Sequence, residues 1–265
     1  MGVGVAALGI ATVVPEKGER LDTVTWLRER KSRKYMGLQD ELAVVSAGRA
    51  LLDAGSEERE LGDRTGLYVA VGYIPFVTRD IDPVLAASLD DEGGFSMARF
   101  AGGGYQRAHP LLAFRCLPNM PAYHVAANFG ITGPYRVLYP SAGQLHVALE
   151  EAVADLLAER IDRALVCGVA HQDNFLVRHH NERLGVAGDR LRDAAACIVL
   201  ERESGKLARA RLEQLTIRYA PYDPTLEVPG SECELELGPA APLIGLDRAV
   251  RQGQPAAPEI RYAGR

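Results

Sequence analysis

Several short runs in this sequence are apolar at nearly every position, and that pattern most constrains the fold. Residues 67–72 (LYVAVG), 163–169 (RALVCGV) and 195–200 (AACIVL) show it, and residues 3–14 and 135–139 (YRVLY) read as further strands. A strand covered on one face alternates apolar with polar side chains; a strand that is apolar throughout is covered on both. Helices must therefore lie above and below these strands. The sequence supplies them. "LQDELAVVSAGRALLDAG" places Leu38, Leu42, Val45 and Leu52 on one helical face and ends in Ala54-Gly55, a natural helix stop. Leu145, Ala148, Leu149, Ala152, Val153, Leu156 and Leu157 share the face of a second helix. Strands alternating with helices of this length predict an α/β layered sandwich.

Two regions lack this rhythm. Residues 74–110, with "DDEGGF" and "FAGGGYQRAHP", read as a long loop holding little regular structure, and "HQDNFLVRHHNE" reads as a polar loop. From residue 220 onward Pro and Gly become frequent, which divides the chain into a main domain, 1–219, and a short extension, 220–265. Within the extension "APLIGLDRAVRQG" fits one helix and "PEIRY" a last strand. No repeat of fixed period is present.

With 265 residues and 47% hydrophobic composition, the chain can bury one sizeable core. A net charge of −5 argues against nucleic acid as a partner. No run reaches the roughly 20 apolar residues that span a membrane. The start, "MGVGVAALGI", resembles a strand rather than a signal peptide. Cys116, Cys167, Cys197 and Cys233 form no CxxC pair. Cys167 and Cys197 lie in apolar runs and read as core residues, and reduced thiols fit a cytoplasmic protein.

The turn after YRVLY poses the question of chemistry. Tyr139-Pro140-Ser141-Ala142-Gly143-Gln144 joins a strand to an amphipathic helix, a common place for a nucleophile. Ser141 does not sit in a hydrolase elbow, because Tyr139 stands where G-x-S-x-G needs its first glycine. Gln144, three residues on, instead completes a capping-box pattern, so Ser141 reads as a helix cap. The six histidines, among them His146 at the helix start, show no metal-site spacing, and no metal is expected. "AGGGY" lacks the strand and helix that a dinucleotide loop requires. Arg28, Arg30, Lys31, Arg33 and Lys34 form a basic cluster in an otherwise acidic chain. It is either a solvated face or a dock for an acidic partner.

Four segments together resemble β-ketoacyl synthases. "SRKYMGLQDELAVVSAGRALLDAG" is similar to their early helix. "LPNMPAYHVAANFGITGPYRVLYPSAG" is similar to the stretch running into their nucleophile turn. "ERIDRALVCGVA" and "AAACIVLERES" resemble the two strands that follow. The similarity runs in order over roughly residues 3–203 and implies a thiolase-like (condensing-enzyme) sandwich, mainly its N-terminal half with a shortened C-terminal part.

The family places an acyl-accepting cysteine in the turn; here the slot falls on Ser141 or Ala142, and neither is a thiol. Two further catalytic histidines come from a second half, for which about sixty residues after Glu203 leave no room. The ending is similar to that of short synthase-like proteins classed as chain length factors. The resemblance therefore implies a non-catalytic chain length factor-like subunit of a type II polyketide or fatty-acid-like pathway. It would pair with a complete ketosynthase and take no cofactor of its own, since the acyl carrier protein brings the phosphopantetheine. Tyr135, Val137, Leu138, Tyr139, Pro140, Ser141, Gln144 and Met120 are the interface or tunnel candidates, and the basic cluster the carrier-protein dock. The alternatives are an acyltransferase using Ser141 or Cys116, and a regulatory module on the same fold.

Overall fold

The computed structural model describes residues 4–58, 60–140, 143–183, 190–202, 208–212 and 236–253. Its strands are β1 (Val5–Val13), β2 (Thr65–Val71), β3 (Tyr135–Leu138), β4 (Arg163–Ala170), β5 (Ala194–Arg202) and β6 (Ala210–Leu212). They form one sheet in the order β3-β2-β4-β5-β1-β6. β2 runs parallel to β3 and β4, while β5 runs antiparallel to both β4 and β1. The five strands expected between residues 3 and 200 are all present, and the short β6 is an addition.

Helical layers cover both faces. On one side lie α1 (Leu38–Asp53) and α5 (Met120–Phe129), packed on Leu67, Val69, Val71, Leu165, Cys167 and Val169. On the other lie α6 (Gln144–Leu157) and α8 (Ala241–Arg251), packed on Tyr68, Ala70, Ala164, Val166, Ala196 and Ile198. Odd and even residues of β4 thus enter different cores, and every position from Ala164 to Ala170 is buried. This is why the strand reads as a continuous apolar run.

The helix stops also follow the sequence. α1 ends at Gly55, whose φ of 69° lets the Ser56 N–H reach back to the Leu51 carbonyl at 2.9 Å. Leu52 and Leu157, expected on buried faces, are instead 64% and 50% exposed. Each sits at the last turn of its helix, where the buried stripe has rotated past the sheet.

The irregular regions hold more structure than their composition suggests. Residues 74–110 contain α2 (Thr78–Ala86), α3 (Met97–Gly102) and a 3-10 turn (Gly104–Arg107), followed by α4 (Leu112–Cys116). Ser96 caps α3 with a side chain accepting from the Arg99 N–H. The "polar loop" is α7 (Phe175–Arg183), started by Asn174, whose Oδ1 accepts from the Leu176 and Val177 amides. Side-chain caps thus start α3 and α7, where the apolar periodicity is weak.

The helix expected near the C-terminus is found as α8, and it belongs to the core. A 3-10 turn, Gly238–Ala240, leads into it and lies against β4; Ala240 and Leu243 are buried. The approach is close because Gly168 has no side chain: a Cβ there would lie 2.2 Å from the Pro239 carbonyl oxygen. Asp247 anchors the helix, accepting from Thr12 Oγ1 at 3.3 Å and pairing with Arg251 at 2.8 Å. The expected last strand, "PEIRY", lies outside the described residues. Gly168→Ala should cost about 1–3 kcal/mol through this overpacking. Gly245→Ala, at an open position of α8, should stabilise by about 0.5–1 kcal/mol. Guanidinium denaturation of both variants checks the pair.

Candidate functional site

The parallel strands β2, β3 and β4 end side by side, and their carboxyl ends are where an α/β sheet offers a binding crevice. Backbone and side chains tie these ends together. The Gly72 N–H donates to the Val169 carbonyl at 2.8 Å, and Gln144 Nε2 donates to the Val71 carbonyl at 3.2 Å. The Ile74 N–H reaches the Tyr139 hydroxyl at 3.4 Å.

Gln144 thus has a role that its spacing did not suggest. α6 begins at Gln144, with Gly143 in the cap position at φ 72°. Gln144 is thus the first helical residue, not the third, and its buried amide donates to β2. A glycine at positive φ already sets the chain direction into the helix. Ser141 and Ala142, the two readings of the nucleophile slot, lie outside the described residues.

The remaining candidates divide by face. β3 is the edge of the sheet among the described residues. Tyr135 and Tyr139 are 64% and 44% exposed. Val137 packs on the α1 side and Leu138 on the α6 side. Arg136, the strand's one charge, pairs with Glu151 of α6 at 3.0 Å. Pro140 is half-buried, and Met120 is buried at the start of α5. Around the strand ends the structure adds residues that sequence reasoning missed. Tyr73 faces His180 with ring centroids 5.4 Å apart, and Phe76 stacks on Phe175 at 6.4 Å. An aromatic pair immediately after an apolar strand, as in "GYIPF", is the signal that could have marked them.

His171, at the end of β4, is held in place. Its Nδ1 lies 2.7 Å from Asp193 Oδ1, which also accepts from the Asp173 N–H at 3.0 Å. Its own N–H donates to Gln39 Oε1 at 3.1 Å. Burial pushes the His146 imidazole below its usual pKa, so it is neutral at pH 7.

Cys116, the alternative nucleophile, is buried in α4 and donates to the Leu112 carbonyl at 2.9 Å. Burial and the Asp40 and Asp80 carboxylates push its thiol up, away from the reactive thiolate.

The basic cluster is divided. Arg28 pairs with Glu60 at 2.7 Å and Arg33 with Glu41 at 3.0 Å, while Lys34 sits over the Tyr35 ring at 4.7 Å. Arg30 and Lys31 are exposed and make no ion pair among the described residues. They lie on a 3-10 helix, Arg30–Tyr35. Beneath it His124 hydrogen-bonds the Tyr35 backbone and lies 4.0 Å from Asp40. Burial depresses the His124 pKa to about 4 and raises that of Asp40.

Between pH 6.5 and 4 the unfolded chain protonates His124 while the folded chain does not, so this residue makes stability fall as pH falls. His124→Gln should flatten that acid limb. Denaturation midpoints at pH 7, 5.5 and 4.5 measure it, with equal slopes in variant and wild type as the contrary result.

The β-ketoacyl synthase N-terminal domain family matches residues 8–182, and the chain belongs to that family. No curated protein matches the sequence. Many solved structures share the fold, three of them as follows. One is a type II PKS acyl-carrier protein in complex with its ketosynthase bound to the hexaketide (AntDE:AntF). It has a TM-score of 0.55 and 15% identity over 75% of this chain and 62% of that one. A second, a β-ketoacyl synthase from Burkholderia phymatum STM815, has 0.55 and 17%, over 76% and 59%. The third, the ishigamide ketosynthase/chain length factor, has 0.53 and 16%, over 74% and 58%. The chain thus spans about three fifths of the length of these relatives, and its fold is thiolase-like. No described helix is long and apolar enough to cross a membrane.

Proposed function

We propose that this chain is a non-catalytic, chain length factor-like subunit that pairs with a complete ketosynthase in type II polyketide or fatty-acid-like biosynthesis. One observation carries the reading: residues 139–144, Tyr-Pro-Ser-Ala-Gly-Gln, hold no thiol where the resembled synthases keep their acyl-accepting cysteine. Decarboxylative condensation needs an activated nucleophile. A lone serine hydroxyl, almost wholly protonated at neutral pH, is a poor substitute. The described thiols do not replace it, since Cys116, Cys167 and Cys197 are all buried. The buried, hydrogen-bonded Cys116 weighs against the acyltransferase alternative.

The subunit's contribution is structural: it completes the partner's assembly through β3, walls part of the acyl tunnel and helps to dock the carrier protein. Two of the similar structures support such partners by their names, a ketosynthase with its acyl-carrier protein and a ketosynthase/chain length factor. The open edge of β3 suits a partner strand, because an exposed apolar edge invites pairing. Its only charge is already matched by Glu151 and can be covered. Arg30 and Lys31 are the charges left to meet an acidic carrier protein. The phosphopantetheine arrives on that carrier, and the subunit adds no cofactor.

Incubation with malonyl- and acyl-loaded carrier protein, followed by intact mass spectrometry, should leave the chain unmodified. A stoichiometric adduct on Ser141 would replace this reading with the acyltransferase. Co-expression with ketosynthases from the same gene neighbourhood should give a stable complex. Leu138→Asp, at the β3 edge, should abolish it while a circular dichroism spectrum keeps its wild-type shape. A wild-type chain that binds no ketosynthase at micromolar concentration contradicts the proposal.

A further inference from the structure

β4 and β5 place Cys167 and Cys197 directly opposite each other in antiparallel register. Both side chains point into the α1-facing core, where they are 0% and 1% exposed. The two thiols are free and face one another, Sγ to Sγ, at 2.8 Å. The other polar neighbour of Cys197 is the Ile198 carbonyl, 4.0 Å away. Directly opposed residues of an antiparallel pair have Cα atoms about 4.5–5.5 Å apart. That separation falls within the roughly 4.4–6.8 Å that a disulfide spans.

The structure assigns Cys167 and Cys197 as a redox-sensitive pair that can close a cross-strand disulfide without moving the backbone, its state set during folding and then held. While the chain is open, one cysteine thiolate attacks glutathione disulfide, forming a mixed disulfide and releasing one glutathione thiolate. The second cysteine thiolate attacks the protein sulfur of that mixed disulfide and releases the other glutathione. The pair loses two protons and two electrons, and one glutathione disulfide becomes two glutathione thiols. Either step needs a thiolate and access to it.

The folded chain offers neither. No external disulfide reaches side chains this buried, and burial together with Cys167 pushes the Cys197 thiol well above the ordinary range. Exchange in the native state requires opening the centre of the sheet, the part of a fold that opens least often. Reduced native protein therefore stays reduced, and oxidised native protein stays oxidised. Such a pair records the redox conditions under which the chain folded.

The test uses the full chain, both wild type and with Cys116→Ser and Cys233→Ser. Each is unfolded in guanidinium and refolded either in a glutathione redox buffer or in excess reductant. The oxidising arm should yield a product two hydrogens lighter, with residues 167 and 197 linked in a non-reducing peptide map. Native reduced protein held in glutathione disulfide should keep both thiols, reacting with an alkylating agent only after denaturation. Native oxidised protein should likewise keep its link in dithiothreitol until unfolded. Two free thiols at 167 and 197 after oxidative refolding would overturn the inference. So would linkage of either to Cys116 or Cys233 in the wild type, or rapid oxidation of the folded chain.

Discussion

The structure depends on a sheet with no polar face. β2 is buried at all of its positions and β4 at all but its first, so each sends alternate side chains into two separate cores. At about 25 cal/mol per Å² of apolar surface removed from water, neither face can be left open. The chain meets this demand with α1 and α5 on one side and α6 and α8 on the other. The C-terminal helix is therefore part of the domain. It covers β5 and β1, and the 3-10 turn before it lies on β4, on a face that α6 alone would leave partly wet.

The same arrangement positions the candidate site. Because β2, β3 and β4 are parallel, the segments that follow them emerge at one end of the sheet, and Gln144, Tyr139 and Gly72 join them there. The sequence of the turn before α6 holds no thiol. Two histidines lie near these strand ends. His146 is kept neutral by burial, and His171 is locked to Asp193 and Gln39.

Edges and faces carry the rest of the argument. Most of the large exposed apolar side chains, from Val77 through Phe114 and Tyr123 to Tyr139, fall in the crossover between β2 and β3 or on β3 itself. Concentrated apolar exposure of this kind marks interaction surfaces. The basic cluster contributes less than its five charges suggest, because Arg28 and Arg33 are engaged by acidic neighbours.

Periodicity alone made the five principal strands, both long helices and the layered architecture legible, since a run without polar residues has few ways to fold. It also marked Gly55 as a helix stop and Cys167 and Cys197 as core. Short-range pattern misread Leu52 and Leu157, because a helix's buried stripe depends on where the sheet ends beneath it. It missed α2, α3 and α7, the last two of which are started by side-chain caps rather than by apolar periodicity. The Ser141–Gln144 spacing suggested a helix start at Ser141, but Gly143 at positive φ holds the cap position and Gln144 reaches Val71. The sequence by itself determined the elements, the family resemblance and the absence of a thiol in the turn, because these rest on residue identity and local pattern. Only the tertiary structure decided that Cys167 faces Cys197, that Pro239 lies over Gly168 and that Asp193 reaches His171. Those contacts join residues from 22 to 71 positions apart, and strand register and layer packing, which no local pattern encodes, bring them together.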